Sequence, residues 1–173
     1  MNASQIHLAL NHVPLFFSIA GGLILLYGFI RKQDQIKSLS LYFMIIAAIF
    51  IIPIYLTGEG TEENVEMLPG VSESLIESHE EMAMIGLIII LITGIVALVT
   101  LIIKKKASLS RPFLMFCAVL AFASFAVMVQ TAHLGGQIRH SEIRNGTIVT
   151  TGNDGVENEV DKKNKESEEK ESD

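Results

Sequence analysis

The side chains best able to do chemistry in this chain are its five histidines, His7, His12, His79, His133 and His140. Imidazole suits a transition metal or a haem iron in a partly apolar setting. Three of the five are the leading candidate ligands: His12, His79 and His133. The stretch from Gln130 to His140 concentrates the pattern, with two histidines, two glutamines, an arginine and the pair Gly135-Gly136. At 3.6 residues per turn, Gln130, His133, Gln137 and His140 share one narrow stripe of a helix. His7 is a further candidate. On an unbroken helix from 4 to 18 it joins Ser4, Asn11 and Ser18 on the inward stripe, leaving His12 about 140° away; a break at Pro14 would reset that relation.

These residues need elements to hold them, and the elements are apolar blocks with almost no charge. Half of the 173 residues are hydrophobic, and their segregation into blocks is a membrane pattern rather than a soluble core. Four spans are expected. The first runs from Pro14 to Ile30, after a short turn or kinked start over residues 4–12. The second covers Leu39 to Leu56 and stops at Thr57-Gly58-Glu59-Gly60, and the third covers Met82 to Ile103. The fourth begins at Arg111-Pro112 and continues to the region of His133. Each is near the roughly 20 residues that cross a hydrocarbon core.

Loops 31–38 and 104–111 hold seven lysines and arginines between them, and 57–81 holds none. The positive-inside rule then puts both short loops in the cytoplasm and both termini outside. From the helix rise, His12 lies about 28 Å from Arg31, and His133 about 32 Å from Pro112. With a core about 30 Å thick, all five histidines fall at the outer edge or beyond it. The expected site is a bacterial cytoplasmic membrane, with the histidines on the periplasmic side.

Several functions are excluded. No basic patch with interleaved aromatics is present, so nucleic acid is not an expected partner. Cys117 is the only cysteine, which rules out an intrachain disulfide and any CxxC metal or haem-attachment motif. No serine nucleophile motif or phosphate loop occurs. The spans carry no charged residue, which argues against an ion-coupled transporter. The eight glutamates between Glu59 and Glu81 read as a solvated face, and those at the start of a helix are favoured by its dipole.

What remains is a site at the outer face. A membrane haem is commonly held by histidines on facing helices. It needs small residues where the ring meets backbone and cations for its propionates. Gly135 and Gly136 can supply the first, Arg139 or Arg144 the second. The expected function is a b-type haem protein or subunit that relays electrons at the periplasmic side, with a cytochrome, quinol or respiratory-complex subunit as partner. Two other readings stand beside it. One is a copper, zinc or iron ion held by His12, His79 and His133, with Glu59 or Glu80. The other is a structural or assembly subunit with no cofactor.

The motif His7-x4-His12-x-Pro14 resembles the opening of a family of small four-span bacterial membrane proteins classed as a domain of unknown function. A histidine near the start of that family's third span corresponds to His79, and a Leu-Gly-Gly stretch at the end of its fourth to Leu134-Gly135-Gly136. The resemblance covers about residues 5–140 and implies a respiratory or redox setting with haem b, since members are sometimes joined to c-type cytochrome domains. The chain departs from the family after the Gly-Gly pair. Members often carry a tyrosine and then a histidine there, whereas this chain has the shorter Gln137-Ile138-Arg139-His140.

A weak internal repeat adds an architectural expectation. Ser38-Leu39-Ser40 before Phe43-Met44 recurs as Ser108-Leu109-Ser110 before Phe113 and Met115. Two hairpins of equal orientation are implied, with His12 and His79 in matching places. The expected fold is therefore an all-α four-helix transmembrane bundle over residues 1–144. Residues 145–173 are polar and aperiodic, and are expected to form a disordered tail.

Overall fold

The computed structural model describes residues 3–66, 71–103 and 107–140. They form five helices: α1 (Ala3–Leu10), α2 (His12–Ile30), α3 (Asp34–Glu66), α4 (Glu73–Ile103) and α5 (Ala107–Arg139). Helix α3 packs on α2 and α4, and α5 packs on α4 and α2, so the long helices close an up-and-down ring. α1 lies against α3. Four helices are long and apolar enough to cross a membrane, taking α1 and α2 together as Ala3–Ile30. The expected tail, with Arg144, lies outside the described residues.

The bundle is apolar outside, and its interior mixes Leu25, Leu41, Met44 and Ile90 with small and polar side chains. Ile30, Ile102, Leu56 and Val119 are exposed, whereas Ser40, Thr100, Ser124 and Ala97 are fully buried. This distribution suits lipid. Tails solvate leucine as well as a core does, so helices associate through small residues and interhelical hydrogen bonds. Thr93 Oγ1 gives its proton to the Ile89 carbonyl at 2.7 Å, so Ser124 Oγ donates across to it at 3.1 Å. Gly94 lets α4 touch α3: a Cβ there would overlap that of Ala48.

Helix ends differ from the sequence reading in physically explicable ways. Thr57-Gly58 does not stop α3, which runs on to Glu66. Glycine in a helix interior costs about 1 kcal/mol relative to alanine, and here α1 covers both glycines. Gly58 sits beside the His7 ring, and a Cβ on Gly60 would stand 3.0 Å from that of Ala3. α4 begins at Glu73 rather than Met82, extending the helix by more than two turns and burying Ile76. α5 begins at Ala107, with Pro112 inside it. Near the first span, Asn11 stays in the right-handed helical region at φ −56° and ψ −26°, and its N–H bonds the His7 carbonyl at 2.9 Å. The break between α1 and α2 falls where Pro14 withholds the N–H that Leu10 would have received and its ring crowds that carbonyl.

The two hairpins are related, but not in the register the repeat suggests. Adding 72 to the buried positions of α2 (Pro14, Ser18, Gly21, Gly22, Leu25 and Gly28) gives Gly86, Ile90, Thr93, Gly94, Ala97 and Thr100 of α4, every one buried. Adding 77 to Ser40, Met44, Ala47, Ile51 and Ile54 of α3 gives Cys117, Ala121, Ser124, Met128 and Thr131 of α5, again all buried. The Ser-Leu-Ser match is offset by 70, two helical turns short, so it preserves the face but misplaces the level. The ring is therefore pseudo-twofold, with α2 matched to α4 and α3 to α5.

Candidate histidine site

The pseudo-twofold carries two histidines into equivalent places. His7 of α1 hydrogen-bonds through Nδ1 to the Ile54 carbonyl at 2.9 Å. His79 of α4 does the same to the Thr131 carbonyl, also at 2.9 Å. The offset from His7 to His79 is 72 and that from Ile54 to Thr131 is 77, the values that superpose the two cores. Four residues beyond each carbonyl stands a glycine facing the ring. A Cβ on Gly58 would lie 3.8 Å from His7 Cε1, and one on Gly135 only 3.1 Å from His79 Cε1. Both imidazoles are half-buried, and they lie within electrostatic range of each other.

This arrangement fixes the chemistry of each ring. A carbonyl oxygen has no proton to give, so Nδ1 must carry the hydrogen and donate it. In the neutral ring Nε2 is then a bare lone pair, and no hydrogen bond occupies it on either residue among the described residues. A ring nitrogen anchored to a carbonyl while the other is free is the usual state of a metal-ligating histidine. The pair offers two such nitrogens from different hairpins.

The other sequence candidates are placed differently. His12 is exposed and stacks on Phe16 with ring centroids 6.3 Å apart. His7, not His12, is the counterpart of His79: it stands at the offset of 72 and makes the matching Nδ1 bond, whereas His12 is exposed. His133 is exposed, and Gln137 Nε2 lies 3.0 Å from its Nε2. An amide nitrogen can only donate, so that imidazole nitrogen is already accepting a bond. His140 is exposed, just beyond α5, with its N–H on the Gly136 carbonyl at 2.9 Å. Gln130 is exposed as well, so most of the Gln130–His140 stripe faces outward. The side chains of Arg139 and Glu59 lie outside the described residues, and Glu80 is exposed.

The donor set bears on what could bind. No group of three or more His, Cys, Asp or Glu able to hold a metal ion occurs among the described residues. Two imidazoles fall short of the three or four protein ligands typical of a zinc site, whereas haem brings four nitrogens of its own and asks the protein only for axial ligands. Sequence reasoning missed the carbonyls of Ile54 and Thr131 and the role of Gly58. The signal available was the glycine at the end of each hairpin's second helix. Comparison with protein-family models, with curated proteins and with solved structures finds no match to this chain.

Proposed function

We propose that this protein is a b-type haem-binding membrane redox protein or subunit, with His7 and His79 as the axial ligands. The observation that carries the reading is the twinned geometry: two imidazoles related by the pseudo-twofold, each held at Nδ1 by a helix carbonyl and each with Nε2 free. Bound haem would supply one-electron chemistry. The chain's own contribution is to fix both rings by Nδ1–H donation, which orients them and raises the basicity of Nε2. Gly58 and Gly135 leave room for the rings themselves, and Gly135 can accept no larger residue without moving His79. A bacterial cytoplasmic membrane with both termini periplasmic belongs to the same proposal, on the basis of the lysines and arginines in loops 31–38 and 104–111. So does a c-type cytochrome as the aqueous partner, which the family resemblance implies.

A second reading has one observation in its favour. Both imidazoles already satisfy a carbonyl, so each could be a staple: α1 to α3, and α4 to α5, with no cofactor. Protein produced with ample haem and purified in mild detergent separates the two. A Soret band at about one haem per chain is expected; its absence under those conditions leaves the staple.

A further inference from the structure

The two halves differ in the helices that carry the matched histidines. His79 rides on α4, which is continuous from Glu73 to Ile103. His7 rides on α1, which ends at Leu10 before α2 begins at His12. At the offset of 72, Asn11 and Pro14 of the first half stand where the second has Ala83 and Gly86. The stretch of α4 that matches α1, residues 75–82, buries Ile76, whereas α1 buries no residue. α1 rests mainly on α3, through the His7–Ile54 bond and the contact of Ala3 with Gly60.

Asn11 sits at the join in a conformation at odds with its residue type. Asparagine is among the best N-caps, and Pro14 falls in the first turn of α2, where N–H groups have no partner within the helix. Yet Asn11 is held in the helical region at φ −56° and ψ −26°, and its side chain makes no capping bond. Its Oδ1 is instead buried with no hydrogen-bond partner among the described residues. A cap normally takes the extended region, where its oxygen accepts the N–H of the second or third helical residue. Pro14 is the third and has no N–H, which leaves that of Val13. Turning Asn11 to the extended region satisfies Oδ1 and swings α1 away from α3.

We propose that α1 is a hinged flap whose two positions are set by Asn11. Docked, the flap is held by the His7 bond to Ile54 and leaves Asn11 Oδ1 without a partner. Undocked, Asn11 caps α2 and the His7 bond is broken. An orphaned buried acceptor and a missing cap each weigh about as much as one hydrogen bond, so together they offset the bond that holds the flap down. α4 has no such choice, because Ala83 offers no oxygen and Gly86 keeps its N–H.

Undocking withdraws His7 and leaves His79 in place on α4, so the flap sets when both imidazoles are present. That it thereby gates the entry of haem rests on the haem reading; the hinge itself does not.

The test is amide hydrogen exchange on the full chain in phosphatidylcholine nanodiscs, comparing residues 3–10 with their counterparts 75–82. Residues 3–10 should exchange together, at least about tenfold faster than 75–82. Asn11→Ala removes the orphan and the cap at once and should slow α1 exchange about tenfold, beyond the roughly threefold that helix propensity alone supplies. Asn11→Asp matches asparagine in propensity yet should speed exchange about tenfold, because a carboxylate is costlier to bury and caps well once released. Ala3→Cys with Gly60→Cys places Cβ atoms 3.0 Å apart, a small shift from disulfide geometry; the oxidised pair should bring α1 down to the rate of 75–82 until it is reduced. The hinge is overturned if α1 exchanges no faster than 75–82, if Asn11→Ala slows it no more than propensity does, or if Asn11→Asp leaves it unchanged. Haem uptake, followed by the Soret band with the disulfide closed and then reduced, keeps the two proposals apart. Slower uptake in the closed form is expected, and equal uptake removes the gate. No Soret band in either form removes the haem reading and leaves the hinge to be decided by exchange.

Discussion

Gly58 and Gly135 occupy equivalent positions beside equivalent rings, yet alanine should act oppositely at the two. Each glycine lies inside a long helix, so alanine gains about 1 kcal/mol from backbone entropy and propensity at either site. At Gly58 the new methyl would sit 3.8 Å from His7 Cε1 and 3.9 Å from Nδ1, which is ordinary contact. At Gly135 it would sit 3.1 Å from His79 Cε1 and 3.2 Å from Nδ1. The His79 ring must then yield by a few tenths of an ångström, and its 2.9 Å bond to Thr131 is what gives way. Leaving a half-buried imidazole and carbonyl poorly paired costs about 1–3 kcal/mol. Gly58→Ala should therefore be neutral or stabilising by up to about 1 kcal/mol, and Gly135→Ala destabilising by up to about 2 kcal/mol net. Reversible unfolding in mixed micelles measures both, and the 15N shift of His79 Nδ1 reports the bond directly. Equal stabilisation by both alanines, with an unmoved His79 signal, would refute the reasoning.

Other outcomes follow from the same packing. Gly94→Leu should force α3 and α4 apart, because even a methyl overlaps Ala48; a loss of several kcal/mol is expected in the same unfolding assay. Ser124→Ala removes the donor to Thr93 and should cost about 1 kcal/mol, within the modest range of interhelical bonds in membranes. Lys32 closes α2 with φ 53°, and the bonds Gln33 N–H to Gly28 O and Lys32 N–H to Phe29 O form a Schellman cap; Lys32→Gly should stabilise by about 1 kcal/mol.

Much of this architecture was legible in the chain. Blocks of apolar residues separated by lysine-rich or glutamate-rich stretches gave four helices and a common end for the histidines, because hydropathy and length constrain a span strongly. Helix ends were less legible. Thr57-Gly58 carries a stop signal by propensity, but the contact of Ala3 and His7 with α3 overrides it. The inward histidine was equally hidden. Whether His7 or His12 faces the bundle depends on how far Pro14 rotates the chain, and a kink angle cannot be read from residue types. The repeat was visible, but in apolar sequence a two-turn slip conserves the face, so only the buried positions reveal the true offset.

The proposed haem site rests on His7 and His79, and not the exposed histidines, as the ligand pair. Absorption spectra of the five single histidine-to-alanine variants, each purified after production with ample haem, test it most directly. Loss or marked alteration of the Soret band is expected for His7→Ala and His79→Ala, with His12→Ala, His133→Ala and His140→Ala retaining it. A band that survives both inner substitutions, or disappears with an outer one, would contradict the claim.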